Sequence, residues 1–314
     1  MTGEDISIVI VSRELDPDFE ECISRTRTQK TSPTEVIVVT AGDTTGFAEK
    51  WQWVRFIHTD AKRSKARNLG WRSSRSELIC FWEADSVFND RWLSEVVGAF
   101  NRGADAVIDR RKCYHPSGYF LRSWDSQFDI RYSDYKPFSA WAFRKEVLVS
   151  INGFDENLDY AEDTDVGLRL KERGFKILLA PEATQMHKGE PRSFTSMIKR
   201  RFIFGYRKSQ GFFRKHPKQY PSKRVLATAV ATTSLCILMV LNYFTLLVIL
   251  AISAYSLFLA KAFIDSRGIV PLRYSPGIAF NRITGGMGYH WGVITGSIVR
   301  IGKPSPWEEG GKPS

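Results

Sequence analysis

Three places in the sequence put acids or a histidine where an open sheet protein binds ligands, at the carboxyl ends of expected strands. Glu83-Ala84-Asp85 follows the apolar run LICFW. Two carboxylates spaced i, i+2 at a strand end can hold a hard divalent cation. Mg²⁺ or Mn²⁺ there would bridge the oxygens of a diphosphate. Glu162-Asp163, followed by Asp165, stands at the start of an expected helix; acids also favour such positions because of the helix dipole alone. His187 comes just past the expected last strand, in Pro181–Lys188, and reads either as a metal ligand or as a surface residue. The four cysteines are scattered and form no Cys-x-x-Cys pair, so neither a zinc ribbon nor a redox motif is expected.

The elements that must position these residues alternate between strand and helix. ISIVIV at 6–11 is a short apolar run rich in β-branched residues, the pattern of a buried parallel strand. Asp16-Pro17 opens a helix to about Thr28, and strands follow at Glu35–Val39 and Val54–Ile57. Residues 61–75 read as helix and Glu77–Trp82 as strand. Asn89 or Asp90 caps a helix to Asn101, and Ala104–Ile108 is strand-like. Residues 109–136 lack a period and read as a loop-rich insertion beside a binding site. Phe138–Phe143 is an expected strand, Lys145–Ser150 a short helix and Asn152–Asp155 a turn. Glu162–Arg173 is a helix stopped by Gly174, and Lys176–Ala180 is the last strand. The alternation implies an α/β layer fold with a mostly parallel sheet over residues 1–190.

Beyond that domain the composition changes. The chain has 314 residues and a net charge of +11. Twelve of its 45 Lys and Arg residues lie between Met186 and Arg224, against Glu190 alone, so the remainder of the chain is neutral. Disordered, collagen-like and disulfide-dense classes are excluded by the ordinary overall composition. A concentrated basic block implies an anionic partner, either membrane surface or nucleic acid. Val225–Ala260, which follows at once, runs 36 residues without a charge. A basic block abutting such a run reads as a cytoplasmic juxtamembrane segment, and no nucleic-acid partner is expected.

One helix of that length would reach roughly 54 Å against a hydrocarbon core of about 30 Å. The run therefore reads as a hairpin over residues 225–263, turning at Leu241-Asn242-Tyr243, with both ends cytoplasmic. The following loop, with Lys261, Arg267, Arg273 and Arg282 against Asp265, agrees. Residues 191–224 form a basic segment whose aromatics at 194, 202, 204, 212 and 213 suit a helix at the membrane interface or one packed on the domain. In residues 264–314, a stretch at 283–299 carries Gly288, Gly292 and Gly296, a flat face for close helix packing. It reads as a third span or as a re-entrant or interfacial helix. The acidic N-terminus, MTGEDISIVIVSRE, does not resemble a signal peptide, which keeps the first domain in the cytoplasm.

The stretches SIVIVS, EVIVVTAGDTT, KARNLGWRSS, LICFWEADSVF, NGFDEN and EDTDVGLRLKERGFKI occur in the order and approximate spacing of glycosyltransferase family 2, which the chain resembles over residues 6–208. The resemblance implies a GT-A fold, Rossmann-like, followed here by a small helical transmembrane region. EADS resembles the family's Asp-x-Asp motif, NGFDE its Gly-Gly-Phe-Asp-Glu turn, and Asp163 the catalytic Asp of its Glu-Asp motif. The resemblance implies Asp163, with Glu162, as the catalytic pair, Asp163 serving as base for the acceptor oxygen in a single inverting displacement. It implies a nucleotide-sugar donor contacted by Ser12, Arg13, Thr40, Asp43, Arg67, Glu83 and Asp85, and Mg²⁺ or Mn²⁺ on Asp85 with His187 as a second ligand. Thr40 stands where the family usually has Asp, Val11-Ser12-Arg13 lacks the usual Pro, and Glu83 replaces the first Asp of Asp-x-Asp.

The expected activity is transfer of one sugar to an acceptor at the cytoplasmic leaflet of the cell membrane. The membrane segments favour a lipid-linked acceptor, polyprenyl phosphate or lipid-linked oligosaccharide, as in cell-envelope or other glycan synthesis. Arg200, Arg201 and Arg207, with Lys208, are candidates for the acceptor phosphate, or are solvated or lipid-facing cations. A processive synthase is disfavoured, because Met197–Phe202 lacks the Gln and Trp of that subgroup's Gln-x-x-Arg-Trp motif. An inactive scaffold of the same fold is the rival reading, resting on Thr40 and Glu83.

Overall fold

The computed structural model describes residues 5–133, 141–158, 160–240 and 244–299. They form two compact units, Met1–His115 with Lys136–Glu190, and Pro116–Tyr135 with Pro191–Ser314.

The first unit is a mixed sheet with helices on it, as the alternating pattern requires. Its strands are β1 (Ile6–Ser12), β2 (Glu35–Thr40), β3 (Val54–His58), β4 (Leu78–Glu83), β5 (Ser86–Phe88), β6 (Ala106–Cys113), β7 (Ala142–Arg144) and β8 (Ile177–His187), in the order β3-β2-β1-β4-β7-β6-β8-β5. β1, β2, β3 and β4 run parallel, as do β6 and β8, whereas β7 and β5 pair antiparallel to their neighbours. The register sets Val11 beside Glu83, Ser12 beside Thr40 and Thr40 beside His58, so the carboxyl ends of four parallel strands form one edge. The apolar faces of these strands bury Ile8, Ile10, Val38, Cys80 and Trp82 against Phe19, Phe88 and Trp92.

The helices of this unit are α1 (Pro17–Arg27), α2 (Phe47–Lys50), α3 (Arg63–Ser73), α4 (Trp92–Asn101), α6 (Lys145–Ser150) and α7 (Glu162–Glu172). α1 begins as its sequence demands: Asp16 accepts from the Phe19 amide at 2.9 Å, with Pro17 in the first turn. α7 ends before Gly174, whose φ is +75°.

Four expectations need correction here. Neither Asn89 nor Asp90 caps α4, which is preceded by Arg91 without a side-chain cap. The Asn89 side chain instead bonds the Glu182 carbonyl at 2.8 Å and the Thr184 amide at 3.2 Å, tying the turn to β8. Residues 109–133, the described part of the expected loop at 109–136, are not loop-rich: β6 continues to Cys113, and α5 (Gly118–Ser133) follows. The charges of Arg110, Arg111 and Lys112 hide the strand, and Arg111 serves the site rather than the core. The strand expected at 138–143 is β7 at Ala142–Arg144, and 138–140 lie outside the described residues. Finally, β8 does not stop at Ala180. Its pairing with β6 breaks at a bulge between Ile108 and Arg110 and resumes at Thr184, which leaves Pro181 outside the ladder. His187 therefore lies in the strand, not past it.

The second unit is helical: α5, α8 (Phe194–Gln210), α9 (Phe212–Lys215), α10 (Ser222–Val240), α11 (Phe244–Ser266) and α12 (Ser275–Ile298). Ser193 and Ser196 form a capping box that starts α8. α12 begins eight residues earlier than the glycine pattern suggested, with Pro276 in its first turn, and Arg282 is accommodated by an ion pair to Asp265 at 2.6 Å. Its Gly288, Gly292 and Gly296 form the close-packing face that their spacing implies. A methyl group on Gly292 would run into the Phe202 carbonyl, and one on Gly205 of α8 into the Tyr289 carbonyl.

α10 and α11 are different in kind. Among the described residues, Ser222–Met239 and Phe244–Ser266 are long and apolar enough to cross a membrane. They are not core helices, because Leu226, Met239, Phe244 and Leu257 are all at least 66% exposed. The expected turn at 241–243 lies outside the described residues.

Candidate active site

The short strand β5 assembles the first half of the site. It turns back after Ala84 and pairs antiparallel with β8, Ser86 opposite His187. The Lys188 amide donates to the Asp85 carbonyl at 3.0 Å. This folding places the EADS acids, at the end of β4, against the end of β8, a distance of about a hundred residues in sequence. Asp85 Oδ2 lies 3.2 Å from His187 Nε2, and Glu83 Oε2 lies 3.7 Å from it.

Ligand atoms of Glu83, Asp85 and His187 all fall within 4.8 Å of one another, the arrangement a single cation requires. Two carboxylates and an imidazole suit Mn²⁺ or Mg²⁺. The backbone leaves room for them: a Cβ on Gly189 would stand 2.7 Å from the His187 ring and 3.0 Å from Asp85 Oδ2. The residues thus fit the expected metal, with Glu83 added to Asp85 and His187.

Charges around this group are balanced tightly. Arg111 spans Glu83 and Glu190, 3.0 Å from each, and Gln185 donates to Glu83 at 2.8 Å. Glu190 in turn lies 3.3 Å from His187 Nδ1. Burial pulls the His187 pKa down, but Asp85 and Glu190 outweigh it and hold the ring above the ordinary histidine value. Burial pushes Asp85 up, and the hydrogen bond and charge of His187 carry it below the usual carboxylate range. A divalent cation held by Asp85, Glu83 and His187 would need the imidazole deprotonated, so its binding would release that proton.

The second half of the site is the start of α7. α3 holds it through the NGFDEN segment. Asn68 accepts from the Phe154 amide at 2.9 Å and donates to the Phe154 carbonyl at 2.8 Å and to Glu156 at 2.9 Å. Ser64 donates to the Leu158 carbonyl at 2.8 Å. From the other side, Arg169 reaches the Gly153 carbonyl at 2.7 Å and pairs with Asp165 at the same distance. The chain enters α7 through Ala161, whose φ of 61° is left-handed, a costly conformation for a residue with a Cβ. Glu162, 4% exposed, is bound by Arg67 at 2.6 Å and lies 3.7 Å from Arg63. Asp163 is half-buried and accepts from the Thr164 amide at 2.7 Å. Burial pulls the Arg63 pKa down, but the negative charges of Glu162, Glu83 and Asp163 outweigh it and hold it above its ordinary value.

The remaining expected donor residues lie along the carboxyl edge. Ser12 donates to the Glu14 carbonyl at 2.6 Å, and Arg13 is exposed. Thr40 is buried and accepts from the Gly42 amide at 2.9 Å, while Asp43 closes its own turn on the Thr45 amide at 2.8 Å. Thr40 and Asp43 thus shape the loop. Arg67 points into the protein, on Glu162 and against the rings of Trp141 and Phe154, rather than presenting a free guanidinium. Arg63, Arg111, Gln185 and Glu190 escaped the sequence reading, since their roles depend on neighbours far away in the chain. In the helical unit Arg200 is exposed, Arg201 stacks on Trp124 at 4.9 Å, and Arg207 is half-buried.

Known proteins carry the same pattern. Residues 7–148 match the family model Glycosyl transferase family 2, and residues 138–264 match Glycosyl transferase family group 2. The uncharacterized glycosyltransferase EpsJ of Bacillus subtilis (strain 168) is 22% identical over 217 residues, 61% of this chain and 63% of that protein. The probable glycosyltransferase YdaM of the same organism is 26% identical over 180 residues, 48% of this chain and 42% of that protein. The chain therefore spans less than two thirds of the length of either relative. Among solved structures, S. aureus TarS 1-349 in complex with UDP superimposes with a TM-score of 0.50 at 14% identity, over 93% of this chain and 90% of that one. This chain belongs to glycosyltransferase family 2, and its first unit has the α/β sheet of that family's fold.

Proposed function

We propose that the protein is a membrane-bound inverting glycosyltransferase that moves one sugar from a nucleotide-diphosphate sugar to a lipid-linked acceptor at the cytoplasmic leaflet. The observation that carries this reading is the meeting of Glu83, Asp85 and His187 at the carboxyl edge of a parallel sheet, with α7 presenting Glu162 and Asp163 in the same unit. The UDP complex of the TarS structure supports a nucleotide-sugar donor. α10 and α11, with the basic stretch before them, support the membrane location.

In this reading Asp163 takes the proton of the acceptor hydroxyl as that oxygen attacks the anomeric carbon. Glu162, held by Arg67, fixes the first turn of α7. Asp85 and His187, with Glu83 beside them, hold Mg²⁺ or Mn²⁺. When bound, that ion supplies positive charge to the departing diphosphate. Arg63 offers further positive charge between the two acidic groups. Ser12, Arg13, Thr40 and Asp43 shape the edge on which the nucleotide rests. Arg200, Arg201 and Arg207 are proposed for the acceptor phosphate.

The test is a binding screen of nucleotide sugars with and without Mn²⁺, followed by transfer assays on variants. Asp163→Asn should abolish transfer, a loss of at least about 10² if general-base catalysis carries its usual weight, with donor affinity kept. Asp85→Ala should lose the metal-dependent part of donor binding. Full transfer by Asp163→Asn removes Asp163 from the mechanism. A protein that binds no nucleotide sugar and hydrolyses none favours the inactive scaffold.

A further inference from the structure

The helical unit holds a second feature that sugar transfer does not use. α5, α11 and α12 line an open pocket of about 360 Å³, walled by Tyr119, Phe120, Tyr255, Gly277, Phe280 and Asn281. That volume lies in the range of sites that take small ligands. Its wall is aromatic and apolar except at Asn281. This side chain is buried, 3% exposed, and neither its Oδ1 nor its Nδ2 has a hydrogen-bond partner among the described residues. Buried amides are ordinarily satisfied, because the bonds to water lost on burial must be replaced. An unsatisfied one lining a cavity points to a polar atom of a ligand.

The cavity's edge gives an independent sign. Tyr119 Oη accepts from the Gly277 amide at 3.1 Å and donates to the Arg273 carbonyl at 2.9 Å, and its ring lies 5.9 Å from that of Tyr274. Arg273 Nη2 donates to the Tyr274 hydroxyl at 3.5 Å, and that bond together with the positive charges of Arg122 and Arg273, both exposed, holds the phenol below its ordinary pKa. Among the described residues neither has a carboxylate at ion-pair distance. Two exposed guanidiniums beside one phenol make a cationic patch at the pocket's edge, and phosphate is an anion whose oxygens suit their fork geometry.

We propose that this site binds one anionic glycerophospholipid, with an acyl chain in the cavity, an ester carbonyl accepting from Asn281 Nδ2, and the phosphate on Arg122 and Arg273. The inference rests on the proposed insertion of α10 and α11 in a bilayer. α11 itself supplies Tyr255 to the wall, and Leu257, Phe258 and Ile264 on the same helix are exposed, so the cavity adjoins a surface suited to lipid chains. A prenyl phosphate fits less well, since beyond its phosphate it is pure hydrocarbon and leaves the Asn281 amide unpaired.

The test uses the full chain in nanodiscs of phosphatidylcholine mixed with phosphatidylglycerol, released for native mass spectrometry. One phosphatidylglycerol per chain should be retained. Asn281→Leu should weaken retention roughly tenfold, the scale of one hydrogen bond. It should also raise the thermal midpoint of the lipid-free protein, because leucine needs no polar partner. Arg122→Gln with Arg273→Gln should remove the preference for phosphatidylglycerol over phosphatidylcholine. Phe280→Trp, which fills the cavity from an exposed position, gives a second variant should Asn281→Leu fold poorly, and the same loss is expected. Equal retention of both phospholipids by the wild type, undiminished retention by the cavity variants, or preferential retention of a prenyl phosphate would each overturn the assignment. Wild-type protein that fails to float with vesicles overturns the membrane reading itself; protein that floats but retains no lipid overturns this site alone.

Discussion

Asp109 lies near the opposite charge of Arg111, yet burial decides its behaviour. Asp109 is 2% exposed, and burial pushes its carboxyl up to about 7, against the hydrogen bond from Trp92 Nε1 at 3.0 Å. The folded protein then holds a proton that the unfolded chain releases near pH 4. Stability must fall as pH rises from about 4 to about 7, at up to roughly 1.4 kcal/mol per unit. Asp109→Asn keeps an acceptor for Trp92 and removes the titration. Urea unfolding between those pH values should show a slope in the wild type that is reduced in the variant. A second prediction separates two roles for Arg67. If it anchors Glu162, Arg67→Met leaves a buried charge without its main partner and should cost about 3–5 kcal/mol of stability. If it contacts the nucleotide instead, donor affinity falls while the thermal midpoint holds. Asp85, Asp163 and His187 were candidates from their strand-end and helix-start positions and from the family resemblance, and the fold brings Asp85 and His187 together. Arg111, Gln185 and Glu190 could not, because nothing local distinguishes an arginine aimed at two carboxylates from one facing water.

At the scale of elements, apolar runs were read well and charged elements poorly. β1, β2 and β4 announce themselves because both faces are buried, whereas β6 ends in the charged run Arg110-Arg111-Lys112, of which Arg111 reaches the site. α5 was missed for a related reason: Leu121, Trp124 and Ile130 are buried, but aromatic and charged residues around them blur the helical period. The glycine stripe of α12 was legible as a packing face, though its partner was not. The structure supplies that partner, α8, and with it a prediction. Gly292→Ala would set a methyl group against the Phe202 carbonyl and should cost about 1–3 kcal/mol through overpacking, whereas Gly286→Ala meets nothing within 4 Å. Thermal unfolding in detergent should therefore lower the midpoint of the first variant and leave that of the second unchanged or slightly raised.

For the whole molecule, the charge bias makes a testable demand. If the basic stretch between Met186 and Arg224 faces anionic lipid, association of the intact protein with vesicles should be faster on phosphatidylglycerol than on phosphatidylcholine, and the difference should shrink with salt. The difference should vanish when Lys199, Arg200, Lys215 and Lys218 are changed together to Gln. The same organisation bears on any attempt to isolate the catalytic unit. A chain cut after Glu190 retains α5 but loses α8, α11 and α12, which leaves Leu121, Trp124 and Ile130 uncovered. Such a truncation should aggregate, as judged by size-exclusion chromatography, unless those three residues are made polar.

The insertion of α5 between β6 and β7 also has a consequence in time. A ribosome delivers α5 before roughly 150 further residues have been added to reach α12, and at about 5–20 residues per second that interval is on the order of 10–30 s. During it the sheet can close around both ends of α5, yet the helix has no permanent cover. Holding those apolar side chains until the last helix emerges is a task for chaperones or the bilayer. The helical unit therefore begins to be translated in the middle of the sheet unit but can be finished only when the C-terminal helices arrive.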